Sequence, residues 1–360
     1  MAENDPYAYS NLCSRPIREK VTLLNKNEKL FHVIFAEQFD RELLETLCRL
    51  ATKLRTIAKS VSGVHFLRSL LSHKSAMLYF TQPSTRTFLS FVRACQYLGI
   101  VYGEVRDPRI SSALKGETDV DGIRTFSSYF DLIIMRHQEP GLAERVAYMM
   151  NDINRQIPVI SGGAGQDQHP TQALLDVYTL IRSFEHRERG IDGLHVAMVG
   201  DVRRGRTVRS LAKLLTRFED VKMTFVSPEA FKIKDDLREV LTRRGAEFDE
   251  TDDIADVLEK ADAIYMTRIQ DEYDSKPGES RKVDYTKCHL TLEKVRYMKD
   301  SAIIMHPLPR RNEIDPRVDW DKRAMYWRQE RNGMWMRAAL MAYLFNVDAK
   351  IIEYFQDNYR

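Results

Sequence analysis

The stretch Phe80-Thr81-Gln82-Pro83-Ser84-Thr85-Arg86-Thr87 decides how this chain folds. Before it runs Ala76-Met77-Leu78-Tyr79-Phe80, an apolar segment of strand length. After it, Phe88, Phe91, Val92 and Cys95 recur at i, i+3, i+4 and i+7, the spacing of one helix face. Ser84 to Thr87 therefore stand where a buried strand turns into a helix. The first N–H groups of a helix have no partner inside it, and the helix dipole favours negative charge there. Three hydroxyls and a guanidinium at such a point suit a phosphate group. An ordinary N-cap is the competing reading, because serine and threonine are common caps.

Outward from this turn, short apolar runs alternate with helical patterns. That alternation predicts α/β units with mainly parallel sheets. Leu43, Leu44, Leu47, Leu50, Ala51 and Leu54 mark an early amphipathic helix. Asp131 to Arg136 reads as a buried strand ending in a basic residue. Ligands of open α/β sheets bind beyond the carboxyl ends of strands, which makes Arg136 a candidate; a plain surface arginine is the alternative. A Gly-rich polar turn, Ser161 to Gln168, separates Ile157-Pro158-Val159-Ile160 from a helix opening at His169, and marks a domain boundary. A second series of units opens with His195-Val196-Ala197-Met198-Val199-Gly200, with further strands expected over Val221 to Val226, Ala261 to Met266 and Ala302 to Met305. Met334 to Phe345 reads as a final mixed apolar helix.

Composition narrows the function class. A chain of 360 residues suits two domains, each with its own core. Fifty-five basic against 52 acidic residues give a net charge of +3, and no long basic run appears, which argues against a nucleic-acid surface. Plentiful arginine suits small anionic ligands instead. No apolar stretch approaches the ~20 residues that span a bilayer. Met1-Ala2-Glu3-Asn4-Asp5 lacks the pattern of a signal peptide. Cys13, Cys48, Cys95 and Cys288 are too dispersed for a metal site or a disulfide framework, and Cys48 and Cys95 fall on apolar helix faces. A reducing cytoplasm is expected.

Further motifs follow in order. His169-Pro170-Thr171-Gln172 places a histidine near a helix cap, where histidines are often structural, with Gln172 on the next turn. Gly200-Asp201-Val202-Arg203-Arg204-Gly205-Arg206-Thr207 comes close to the nucleotide P-loop G-x-x-x-x-G-K-S/T, but Arg206 replaces the lysine and is not its equivalent. Thr267-Arg268-Ile269-Gln270 follows another strand end, and His306-Pro307-Leu308-Pro309 forms a rigid loop. Ser111-Ser112-Ala113-Leu114-Lys115-Gly116-Glu117 reads as a mobile polar loop entering a helix. Together with Ser84 to Thr87, these motifs in this order resemble the aspartate/ornithine carbamoyltransferase family over about residues 30 to 345.

The resemblance implies two α/β domains, each a mainly parallel sheet flanked by helices. Residues 1–30 would be an extension, 31–167 would bind carbamoyl phosphate, 168–331 would bind the amino acid, and a helix in 332–360 would return to the first domain. Ser84, Thr85, Arg86 and Thr87, with Arg136, Ser111 and Lys115, would hold carbamoyl phosphate. His169 would donate to the carbamoyl oxygen and Gln172 would accept from its NH2. The carbonyls of Pro307 and Leu308 would face the substrate amines, across a cis Leu308–Pro309 bond. Arg86, Thr87, His169 and Lys115 would be the catalytic groups. Arg206, Arg268 and Gln270, with Lys115 and Leu308, would hold L-aspartate. Two arginines suit a dicarboxylic acceptor, and Pro307 stands where ornithine-specific relatives usually carry cysteine.

The implied reaction yields N-carbamoyl-L-aspartate and phosphate, an early step of pyrimidine synthesis, with no metal or organic cofactor. Ser111 and Lys115 reaching into a neighbour's site would require an oligomer, a homotrimer with shared sites; regulatory chains are left open. Two positions depart from the family pattern. Gln82 replaces an acid and Tyr273 an arginine, which removes an ionic link between domains. The rival readings are a carbamoyltransferase with another acceptor such as an acylated ornithine, a non-catalytic subunit, and a nucleotide-binding P-loop protein.

Overall fold

The computed structural model describes residues 9–107, 118–163, 168–188 and 190–359. The chain forms two compact units: Met1–Thr171 with Gly333–Arg360, and Gln172–Asn332.

The first unit opens with α1 (Ser10–Cys13), α2 (Ile17–Leu24) and a hairpin of β1 (Asn25–Lys26) and β2 (Lys29–Leu30). Helix α3 (Arg41–Ile57) starts where the Asp40 carboxylate accepts the Leu43 N–H at 2.8 Å, and α4 (Val61–Ser69) follows. Then come β3 (Ser75–Phe80), α5 (Thr85–Leu98), β4 (Val101–Val105), α6 (Asp119–Phe126), β5 (Leu132–Arg136), α7 (Leu142–Asp152) and β6 (Val159–Ser161). The four later strands form a parallel sheet in the order β4-β3-β5-β6, with Phe80 opposite Arg136. From β3 the chain winds one way to β4; from β5 it winds the other way to β6. That reversal opens a crevice at the carboxyl ends of β3 and β5.

The segment expected as an extension packs onto this unit from Tyr9 onward. Tyr9 and Leu24 are buried in a cluster with Tyr148 and Met149 of α7. The Tyr9 hydroxyl donates to Asp152 at 2.9 Å, and Asn151 donates to the Leu23 carbonyl at 2.8 Å.

Helix α8 (Pro170–Phe184) contains the division between the units, which falls after Thr171 rather than in the Gly-rich turn. The second unit continues with β7 (His195–Val199), α9 (Arg206–Leu215), β8 (Lys222–Val226), α10 (Asp235–Arg243), β9 (Glu247–Thr251), α11 (Ala255–Leu258), β10 (Ala263–Met266), α12 (Leu292–Val295) and β11 (Ile303–Met305). Its parallel sheet runs β11-β10-β7-β8-β9. Tyr265 pairs with both Met198 and Met305, so three strands end at one level. Here the winding reverses between β7 and β10. The last helices are α13 (Tyr326–Leu344) and α14 (Asp348–Asn358). The final helix expected over Met334 to Phe345 thus begins eight residues earlier, and α14 follows it. In the first unit Arg337 donates to Ser90 of α5 at 2.7 Å, Met341 lies 3.9 Å from Cys95, and α14 packs on α3.

Candidate active site

Ser84 occupies the N-cap of α5, yet its side chain makes no cap hydrogen bond. The ordinary N-cap reading therefore fails at this turn. Thr85 and Arg86 are exposed and Thr87 is buried. The Gln82 N–H donates to the Arg136 carbonyl at 3.2 Å, which ties the turn to the end of β5. Arg136 is buried, and its Nη1 donates to the Gly162 carbonyl at 3.1 Å. Gly163 follows with φ +85°, and a Cβ there would stand 2.7 Å from Cδ2 of His169, so glycine is required twice over. Bonds and contacts thus link the ends of β3, β5 and β6 to the start of α8. They gather Ser84 to Thr87, Arg136 and His169 on one edge of the first unit. Ser111 and Lys115 lie outside the described residues. Gln82 has its Oε1 buried with no hydrogen-bond partner among the described residues.

In the second unit the loops after β7, β10 and β11 meet. Gly200 has φ +115°, and a Cβ there would fall 2.2 Å from the Thr267 carbonyl oxygen, so the two strand ends approach too closely for any side chain. Arg206 is the first residue of α9. In the preceding loop the Val202 N–H bonds Gly200 O, Arg204 N–H bonds Asp201 Oδ1 and Gly205 N–H bonds Asp201 O, each at 3.1 Å. These donors face inward, so the loop is not a phosphate cradle of the P-loop kind. Arg268 donates at 2.8 Å to Glu272 and at 2.8 Å to the Ile269 carbonyl, holding its guanidinium in carboxylate-binding geometry. Although burial opposes it, that bond keeps the Glu272 carboxyl below its usual range. A cavity of about 390 Å³ opens beside these strand ends, lined in part by Gly200, Thr267, Ile269, Ser280 and Arg311.

His306 shapes the third loop, a role that sequence reading missed because the motif drew attention to the prolines. It is fully buried. Its Nδ1 accepts the Leu308 N–H at 2.7 Å, so Nε2 carries the proton that faces Glu313 Oε1 at 2.8 Å. Leu308 takes φ +50°, rare outside glycine, and Leu308–Pro309 is cis, as the resemblance implies.

Gln172 is buried, and its Nε2 donates to Asp176 Oδ1 at 2.9 Å. That bond assigns the amide orientation and turns Oε1 away as an acceptor. Asp176 also accepts from Gln329 Nε2 at 2.7 Å and from the Tyr265 hydroxyl at 2.8 Å. Burial pushes the Asp176 carboxyl up to about 7 despite these three donors. An unfolded aspartate titrates near about 4. Between those values the folded chain holds a proton that the unfolded chain has released, so stability falls as pH rises through that window and levels off above it. Asp176→Asn should flatten this dependence in urea midpoints measured between pH 4.5 and 8; an unchanged slope would assign it to other groups.

Ligand atoms of Asp119, His137 and Glu139 come within 4.8 Å of one another, the one such grouping among the described residues. They satisfy each other: His137 Nδ1 accepts the Glu139 N–H at 3.0 Å, its Nε2 faces Asp119 at 3.3 Å, and Glu139 pairs with Arg145. Among the described residues no helix is long and apolar enough to cross a membrane.

Two open parallel sheets, each with arginines at its winding reversal and one with a hydroxyl-rich helix start, place the protein among two-domain α/β enzymes that bind small anionic ligands. The chain belongs to the aspartate/ornithine carbamoyltransferase family: the family's carbamoyl-P binding domain matches residues 32–182, and its Asp/Orn binding domain matches residues 192–344. The chloroplastic aspartate carbamoyltransferase of Arabidopsis thaliana is 45% identical over 324 residues, 89% of this chain and 79% of that protein. The catalytic subunit of M. jannaschii aspartate transcarbamoylase superposes with a TM-score of 0.76 at 35% identity, covering 91% of this chain and 99% of that one. A Trypanosoma cruzi aspartate transcarbamoylase in complex with carbamoyl phosphate and aspartate superposes with a TM-score of 0.74 at 33% identity, covering 87% and 96%.

Proposed function

We propose that this protein transfers the carbamoyl group of carbamoyl phosphate to the α-amine of L-aspartate, giving N-carbamoyl-L-aspartate and phosphate for pyrimidine synthesis. The observation that carries the reading is the start of α5, where Ser84 caps nothing and Arg86 stands exposed. The first turn is then available to an anion, at the crevice between β3 and β5. Arg206 and Arg268, at the corresponding crevice of the second sheet, suit the two carboxylates of aspartate, and the similar proteins named above are aspartate carbamoyltransferases.

In this mechanism Ser84, Thr85, Arg86 and Thr87 hold the phosphate, with Arg136 and Lys115 adding charge. His169 donates to the carbamoyl oxygen as it gains charge, and Gln172 Oε1, oriented by Asp176, accepts from the NH2 group. The neutral amine attacks the carbonyl carbon; a C–N bond forms, the C–O bond to phosphate breaks, and the amine proton passes to a phosphate oxygen. Arg86 stabilises the departing bridging oxygen. Positioning two bound substrates contributes about 7–11 kcal/mol in well-oriented cases.

The test is an acceptor screen with carbamoyl phosphate, following phosphate release and product mass. Aspartate is expected to be the preferred acceptor. Preference for an acylated ornithine, or no transfer to any amino acid, would overturn the reading. The further readings are a homotrimer, in which Lys115 serves a neighbour's site, and a reducing compartment, the cytoplasm, consistent with four free cysteines. A solution mass other than three chains, or fractionation with another compartment, would overturn them.

A further inference from the structure

Apart from the departures at Gln82 and Tyr273, the second unit carries an ionic network of its own. Asp201 is fully buried just past β7. Its carboxylate accepts from Arg204 Nε at 2.7 Å and from the backbone N–H of Gln270 at 3.1 Å. Arg204 extends from there to the segment after β10. It donates to Asp274 at 2.8 Å and to the Ser280 hydroxyl at 2.9 Å. Asp274 in turn accepts the Ser280 N–H at 3.0 Å and bonds the Ser280 hydroxyl. The Arg204 guanidinium lies 4.6 Å from the ring centre of Phe231, which stacks on Tyr285 at 5.5 Å, and the Tyr285 hydroxyl donates to the Ser280 carbonyl at 3.1 Å. The side chains of Arg204 and Asp274 are 12% and 4% exposed, so solvent screens this pair little.

Arg204 stands two residues before Arg206, and Asp274 four residues after Gln270. The network therefore joins the two loops that carry the proposed acceptor groups, across the winding reversal between β7 and β10. We propose that Arg204, Asp274 and Ser280 are positioning residues, a clamp within the second unit that sets Arg206, Arg268 and Gln270 in place for a dicarboxylic acceptor before it binds. Preorganised groups spend no binding energy on being ordered. The low titration point of Asp274, about 2, agrees: the Ser280 hydroxyl and, against burial, Arg204 hold it ionised throughout the working range. The clamp's catalytic role rests on the proposed acceptor.

Asp274→Ala tests the clamp without stranding a charge, because Arg204 keeps Asp201. Arg204→Ala would leave two buried carboxylates unpaired and is the poorer probe. In Asp274→Ala, KM for aspartate should rise by about 10–10²-fold, the usual scale of mispositioning, while KM for carbamoyl phosphate stays within about twofold. Asp274→Glu, which restores the charge, should regain most of the affinity. Hydrogen exchange without substrate supplies a readout independent of the acceptor: the Ser280 and Gln270 amides should exchange about tenfold or more faster in Asp274→Ala. Unchanged exchange would overturn the clamp, whatever the acceptor proves to be. Faster exchange with an unchanged aspartate KM, or with an equal rise in the carbamoyl phosphate KM, would remove its role in acceptor binding.

Discussion

Arg86→Ala should lower kcat by about 10²–10³, the scale seen when one donor to developing charge is removed. Arg86 is the second residue of α5, exposed at the turn where Ser84 makes no cap bond. The apolar anchors of this helix are Phe88, Phe91, Ala94, Cys95 and Leu98, all buried. Unfolding midpoints should therefore stay near the wild-type value while turnover falls. The loss should appear in kcat more than in either KM, because the guanidinium is proposed to act on the bridging oxygen as it leaves. Near-normal turnover in a folded variant would show that the phosphate reading of this turn is wrong.

Arg268→Ala should lower kcat/KM for aspartate by about 10–10²-fold, since a hydrogen bond to a charged group contributes about 1.5–3 kcal/mol. Arg206→Ala should fall in the same range. Neither change should move KM for carbamoyl phosphate, which is assigned to the first unit. In the structure Arg268 grips Glu272, whose side chain is 43% exposed, so losing that pair costs the fold little. An acceptor carboxylate must therefore compete with, or share, the Glu272 site. The measurement is initial-rate kinetics with each substrate varied at saturation of the other. A rise in the carbamoyl phosphate KM alone would transfer Arg268 to the donor, and the aspartate assignment would fall.

Much of this protein is written locally. The strand–turn–helix at Ser84 to Thr87, the buried strand ending in Arg136, and the strands opening at His195 and near Ala263 follow from short-range pattern, because each is a continuous apolar run beside a helical period. Edge strands are different. Val101 to Val105 and Glu247 to Thr251 face solvent along much of their length, so their charged residues erase the apolar signal. The polar first turns of α13 hid its start at Tyr326, and Tyr9 and Leu24 could be seen as core only once α7 lay beneath them.

The motifs named the residues proposed to face the ligands, but what holds those residues came from the tertiary structure alone. Gln329 reaches Asp176, the carboxylate that Gln172 also uses, from 153 residues away. Arg204 meets Asp274 from 70 residues away. His306 pins Leu308 only because Glu313 is buried beside it. Such groups carry no periodic signature. A buried polar group needs a partner, and in a parallel α/β sheet the partners are supplied by neighbouring strand ends rather than by neighbours in the chain.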